Sequence, residues 1–228
     1  MSQIILASSS PRRRELLSEI IAEFEIFSPN VDESTDSSVS CYDVSRLLAA
    51  RKARAAVAAQ IPFDYLIASD TVVICGGEIL GKPDDLDHAQ EMLTRLRDKT
   101  HEVSTSVAVV SRDSNTAELA ISLVTNLSRV TMRSYSDSEM SSFLESGEAN
   151  DKAGAYAIQD LNFHPVSECE GCICAVMGLP IHDVASQLTL LGLDNASILK
   201  PEGSYARCRN CLRGDLAREP CNLSDISI

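Results

Sequence analysis

The sequence contains no tryptophan, and its aromatic complement is five Phe and five Tyr, so a base-stacking platform of the single-strand-binding kind is poorly supplied. Basic residues are scarce too. Twenty Lys and Arg stand against 33 Asp and Glu, a formal net charge of −13, which argues against broad, salt-driven adhesion to nucleic acid, since phosphate backbones are held by basic surfaces. Any anion site must therefore be local. No stretch approaches the ~18 uncharged apolar residues needed to span a bilayer, which excludes a membrane protein. The first apolar run, Gln3 to Ala7, precedes Arg12-Arg13-Arg14, the reverse of the order in a secretory signal, and a cytoplasmic location is expected. Internal repeats and low-complexity tracts are also missing.

What is present is ordinary globular composition. The 228 residues are 44% hydrophobic and 23% charged, enough for one main core. Gln3 to Ala7 reads as a short strand, broken by Ser8-Ser9-Ser10-Pro11, with Ser10 as N-cap and Pro11 at the first position of a helix running to about Ile21. A second helix, roughly Asp43 to Gln60, has Val44, Leu47 and Leu48 on one stripe and Arg51, Lys52 and Arg54 on the other. Tyr65 to Ser69 reads as a buried strand, and Val72 to Cys75, Gly76-Gly77 and Glu78 to Leu80 as a hairpin around a turn of positive φ. Helices over Asp85 to Leu96, from the capping box at Ser136 to near Gly147, and over Pro180 to Leu191 alternate with a strand at Val103 to Val110. Strands alternating with helices indicate an α/β fold, a mixed sheet flanked by helices. From about Asp194 the periodicity fades, giving a main domain over 1–193 and an appendage over 194–228.

Four segments carry candidate chemistry. Ser8-Ser9-Ser10-Pro11-Arg12-Arg13 lies between a strand and a helix, where backbone N–H groups, hydroxyls and guanidinium forks converge; it reads as a polyphosphate cradle or as a capped helix with solvated arginines. Asp70-Thr71 follows an apolar strand, and a carboxylate there either ligates Mg²⁺, takes a proton from water, or forms a turn. Gly81-Lys82-Pro83 and Asp151-Lys152-Ala153-Gly154-Ala155-Tyr156 each set a Lys beside Gly in a non-helical segment, suited to a phosphate contact or to an ordinary loop.

Cys169-x-x-Cys172-x-Cys174 and Cys208-x-x-Cys211, with Cys221, form two knuckle-like groups. Two C-x-x-C pairs supply four thiolates to one tetrahedral zinc, so Cys169, Cys172, Cys208 and Cys211 are candidates for a structural zinc fastening the appendage. Reduced thiols, a redox pair and a small nucleic-acid knuckle are the alternatives.

In their order these segments resemble the Maf family of nucleoside triphosphate pyrophosphatases, from Ile4 to about Leu193. The matching pieces are Leu6-Ala7-Ser8-Ser9-Ser10-Pro11-Arg12-Arg13, Asp32-Glu33, Arg51-Lys52-Ala53, Ser69-Asp70-Thr71-Val72, Gly81-Lys82-Pro83, His101, Asp151 to Tyr156 through Gln159, Glu170-Gly171-Cys172, and Val176 to Pro180. The resemblance implies an ITPase-like fold with a nucleotide cleft between two lobes. It implies hydrolysis between the α- and β-phosphates to a monophosphate and pyrophosphate, a divalent cation (Mg²⁺, Mn²⁺ or Co²⁺), and a homodimer. It also implies that Asp70 is the proton acceptor and that Ser8, Arg13, Lys52 and Lys82 surround the phosphates. Asp70 with Asp32 or Glu33 would hold the metal. Arg12, Thr71 and Gln159 match the residues that mark the branch acting on dTTP and UTP. The chain departs from that branch at Ser69, where Ala is usual, and at Ala157 and Asp160, where glycines flank the Ile-Gln pair. A modified or purine nucleotide such as 7-methyl-GTP, and a nucleotide-sensing regulator of cell division without turnover, are the alternative readings.

Overall fold

The computed structural model describes residues 2–113 and 115–199. Its centre is a seven-stranded mixed sheet in the order β2-β1-β3-β5-β6-β7, with β4 paired to β3. The strands are β1 (Ile4–Ala7), β2 (Glu25–Phe27), β3 (Tyr65–Cys75), β4 (Glu78–Leu80), β5 (Thr100–Arg112), β6 (Leu119–Met132) and β7 (Val166–Glu170). Pairing is parallel for β1 with β2 and β3, and antiparallel across β3, β5, β6 and β7. The helices are α1 (Pro11–Ser18), α2 (Val44–Ala58), α3 (Leu86–Leu96), α4 (Asp137–Glu145), α5 (Ile173–Met177) and α6 (Ile181–Leu190).

Period-two alternation sorts the strand residues between two layers. Ile4, Leu6, Tyr65, Ile67, Val107 and Val109 pack under α1, α5 and α6 with Leu16, Leu17, Ala175, Val184 and Leu188. Their neighbours Ile5, Ala7, Leu66, Ala68, Ala108 and Val110 pack on the other face against Ala49, Ala50, Ala53 and Ala56 of α2. Four alanines there let helix and sheet approach closely. A third cluster joins Val73, Leu80, Val103, Val130 and Met132 to α3, α4 and Phe163. It forms a second lobe.

β3, β5 and β6 are 11, 13 and 14 residues long and run through both lobes. β3 is one continuous strand, and this corrects the sequence reading of two strands flanking Asp70-Thr71: both residues sit mid-strand, in register with Ser106 and Thr105 of β5. Along its other edge β3 pairs with β1 only over Tyr65–Ile67 and with β4 only over Val73–Cys75. Residues 68–72 are left between those partners, and that gap places the cleft.

The hairpin turn has the expected positive φ, 63° at Gly76 and 81° at Gly77. Ser10 caps α1, and Ser136 with Glu139 forms the capping box of α4. Residues 194–199 still pack on the main body: Ile198 lies against the first core and Leu199 N–H donates to Ile20 O at 2.8 Å. Among the described residues no helix is long and apolar enough to cross a membrane.

Candidate active site

The gap in the β3 edge opens into a cleft of about 650 Å³. Its walls are the segment after β1 (Ser8 to Arg13), one stripe of α2 (Val44, Leu48, Lys52), β3 from Asp70 to Val73, the β4 hairpin through Lys82, residues 151–159, and the end of α5 to Gly178. Ser8, Arg12, Arg13, Glu33, Lys52, Asp70, Thr71, Lys82 and Gln159 all line this one space. Five cationic side chains face three carboxylates there, the local reversal of charge that an anion site requires in an acidic protein.

Successive residues of a strand point to opposite faces, so Asp70 and Thr71 meet different partners. Asp70 faces α2, where Lys52 Nζ donates to its Oδ1 at 2.5 Å. The same ammonium lies 2.7 Å from Glu33 Oε1. Asp70 is 5% exposed, and burial raises its pKa above the ordinary carboxylate value although Lys52 and Arg13 oppose that rise. Burial acts on Glu33 in the same direction, but Lys52, with Lys82 and Arg13, outweighs it and holds Glu33 below its usual range.

Thr71 faces α1 and α5. Arg13 Nη2 donates to Thr71 Oγ1 at 3.4 Å, Nη1 to Ser8 Oγ at 3.3 Å and Nε to Gly178 O at 3.0 Å. Every one of these acceptors is neutral. Thr71 Oγ1 in turn lies 3.0 Å from Thr105 Oγ1. Gly178 has φ 116°, and a Cβ on it would stand 3.3 Å from Arg13 Nε, so a side chain there would crowd the guanidinium. Gly178 was visible in the sequence only as part of a family block; its work as the acceptor that aims Arg13 needs the fold.

Asp32 does not join the cleft. Its carboxylate accepts from Ser34 N–H and Oγ, both at 2.8 Å, and it borders a separate surface hollow with Arg51 and Arg54. In Asp32-Glu33 only the second residue turns inward, so Asp32 is removed from the metal-ligand expectation. Asp70 and Glu33 remain, two carboxylates already sharing one cation. That all-oxygen pair fits Mg²⁺, which commonly takes one or two carboxylates and completes its shell with substrate phosphates and water. Among the described residues no group of three His, Cys, Asp or Glu side chains is arranged to hold a metal ion, so substrate phosphates and water would complete the shell.

Of the departures from the pyrimidine branch, Ser69 and Asp160 lie off the cleft and Ala157 lines it. Ser69 is fully buried and its hydroxyl donates to Gly178 O at 2.9 Å. It supports the carbonyl that holds Arg13 and does not line the cleft. Asp160 accepts from Asn162 and Phe163 N–H at 3.0 and 2.7 Å, a turn-forming use of its carboxylate. Ala157 is buried and lines the wall.

One pair on the cleft floor was not anticipated. Tyr156 lines the cleft, and its hydroxyl lies 2.8 Å from His101 Nε2. His101 is 3% exposed, and burial pushes its pKa down to about 4.

Two of the four cysteines expected to hold zinc, Cys169 and Cys172, are among the described residues. Cys172 is 3% exposed within the first core, and its Sγ accepts from Ala175 N–H at 3.4 Å as the cap of α5. Cys169 is half-buried, with burial pushing its thiol up to about 11. Cys208 and Cys211 lie outside the described residues.

Comparison with known proteins agrees with the geometry. Residues 3–191 match the family model described as Maf-like protein. A dTTP/UTP pyrophosphatase of Myxococcus xanthus is 42% identical over 83% of this chain and 93% of that relative. The dTTP/UTP pyrophosphatase of Hahella chejuensis is 40% identical over 84% and 93%, and that of Desulforamulus reducens 37% over 85% and 99%.

Proposed function

The chain belongs to the family of Maf-like proteins, and on that premise we propose that it is a nucleoside triphosphate pyrophosphatase, converting dTTP and UTP to the nucleoside monophosphate and pyrophosphate. The observation that carries the reading is the convergence of Arg13, Lys52, Lys82 and one buried carboxylate, Asp70, on a single cleft. Cleaving a triphosphate builds negative charge on the phosphoryl oxygens and the departing pyrophosphate, and fixed cations aimed at those positions lower the barrier.

Each residue has a role that follows from its surroundings. Arg13, whose hydrogen bonds go to the neutral groups of Ser8, Thr71 and Gly178, is fixed by them at the cleft wall for phosphate. Lys52 and Lys82 add to it from α2 and the β4 hairpin. Ser8, held by Arg13, places its hydroxyl at the phosphate end. Asp70 takes the proton of the water that attacks the α-phosphorus, and burial suits it to this by raising its affinity for a proton. A divalent cation bound by Asp70 and Glu33 would neutralise phosphate charge and lower the pKa of bound water. Gln159, exposed on the wall beyond Tyr156, offers both a donor and an acceptor to a pyrimidine edge. Thr71 serves by fixing Arg13.

The test is a panel of triphosphates incubated with Mg²⁺, Mn²⁺ or Co²⁺, with pyrophosphate measured enzymatically. dTTP and UTP should give pyrophosphate fastest. Tight binding with no pyrophosphate under any of the three cations would leave a nucleotide sensor instead. The expected dimer is read in the same samples by sedimentation velocity.

A further inference from the structure

Arg12 and Asp151 face one another across the rim of the cleft. Arg12 Nη1 lies 3.4 and 3.3 Å from the two carboxylate oxygens of Asp151. The contact ties the first turn of α1 to the segment that continues into Tyr156 and Gln159. Behind Asp151 stands Lys152, whose side chain is 7% exposed. Its ammonium donates to Asp151 Oδ1 at 2.8 Å, to Glu148 Oε2 at 3.0 Å, and to the Glu148 carbonyl oxygen. Burial favours the neutral form of Asp151, but Lys152 and Arg12 together outweigh it and hold the carboxyl below its usual range. Asp151 is therefore an ionised group facing a cleft built for an anion.

That placement would repel a triphosphate unless the charge were already matched, and it is. The row Glu148, Lys152, Asp151, Arg12 alternates in sign, two carboxylates against two cations, so Asp151 is matched on both sides. The consequence separates two adjacent arginines. The hydrogen bonds of Arg13 go to neutral acceptors, whereas Arg12 is held by a carboxylate. What Arg12 retains is geometry: a planar fork, pinned through one nitrogen, with its other N–H groups directed elsewhere.

We propose that Asp151 is a specificity-determining positioning residue, which neutralises and fixes Arg12 so that its remaining donors address the carbonyl edge of a pyrimidine base and not a phosphate. The proposal rests on the pyrophosphatase reading above and deepens it. Without Asp151 the guanidinium would be an unmatched cation at the cleft rim, attractive to the phosphates of any nucleotide and no longer oriented toward one kind of base.

Steady-state kcat and KM for dTTP, UTP, dGTP and dATP, measured on wild type, Asp151→Asn and Asp151→Glu, test it. In Asp151→Asn the ratio of kcat/KM for dTTP over dGTP should fall by about ten-fold, the worth of one oriented charged hydrogen bond. The fall should come from a raised KM for dTTP with an unchanged or lowered KM for dGTP. Asp151→Glu should restore most of the ratio. Circular dichroism melting checks the fold, and if Asp151→Asn is unfolded, Arg12→Lys, which keeps the charge and loses the fork, should show the same loss of selectivity. A ratio that stays at the wild-type value in an active Asp151→Asn, or an equal loss on all four substrates, overturns the inference alone. A wild-type chain that turns over none of them overturns the pyrophosphatase reading and this inference with it.

Discussion

Lys52 Nζ and Asp70 Oδ1 lie 2.5 Å apart, with side chains 11% and 8% exposed. One comes from the middle of α2 and the other from the middle of β3, so the pair exists only when helix and strand are docked. It sets a buried ammonium against a buried carboxylate at the wall where the triphosphate is proposed to react.

Asp70→Asn should abolish pyrophosphate release without harming the fold. Loss of a general base costs about 10²–10⁴-fold in rate. Stability should hold or rise, because the Lys52 ammonium keeps a second carboxylate, Glu33, at 2.7 Å. Burial raises the pKa of Asp70 in the folded state, so its contribution is full below the unfolded carboxylate value and is lost as pH rises through the folded one. At neutral pH the ionised group is a burden that the amide removes. Thermal melting by circular dichroism beside a pyrophosphate assay reads both outcomes.

Lys52→Met should do the opposite to stability. Removing one partner of a buried ion pair leaves the other charge uncompensated, at a cost of about 3–5 kcal/mol. The cost should be larger at neutral than at acidic pH, because burial raises the affinity of Asp70 for a proton and a protonated Asp70 needs no partner. Urea denaturation at the two pH values measures it, and the double variant with Asp70→Asn should recover most of the loss.

His101 gives the protein an acid-sensitive element away from the phosphate cations. Its folded pKa of about 4 lies below the ordinary imidazole value of 6.5, so the stability it lends is complete above about pH 6.5 and is lost as pH falls toward 4. The depression corresponds to about 3 kcal/mol across that window. Denaturation free energies at pH 7.5 and pH 4.5 should differ less in His101→Asn than in wild type.

Gly178→Ala tests the support beneath Arg13. A side chain at φ 116°, with its Cβ 3.3 Å from Arg13 Nε, strains the backbone by about 1–3 kcal/mol and pushes the guanidinium off its carbonyl. KM for dTTP should rise several-fold. A variant with wild-type KM would show that Arg13 holds its place without Gly178.

Much of this was legible in the sequence, and the parts that were not have physical reasons. Helix starts announced themselves through Ser10, Asp85 and Ser136, each a cap whose side chain accepts the expected N–H. β6 was hidden because its alternation carries the wrong polarity: over Val124 to Met132 alternate residues are buried, but Asn126 and Ser128 are among them while Leu127 is exposed, and the buried amide is satisfied by Asp183 and Ser128. Asp70-Thr71 looked like a strand end because a buried carboxylate is costly inside a strand; the compensating cation came from α2, eighteen residues away. Asp32 and Glu33 were indistinguishable as a dipeptide, and only the chain's path past α2 decides which one turns inward. The ring of contacts around Arg13 joins Ser8, Thr71 and Gly178, a closure that no local pattern encodes.

The central claim is that water attacks the α-phosphorus of a triphosphate held by Arg13, Lys52 and Lys82, with Asp70 receiving the proton. Hydrolysis of dTTP in ¹⁸O-water, with products resolved by mass spectrometry, tests it directly. The account predicts one ¹⁸O atom in thymidine monophosphate, unlabelled pyrophosphate, and no products from Asp70→Asn. Label in pyrophosphate, release of orthophosphate, or turnover by Asp70→Asn at the wild-type rate would contradict it.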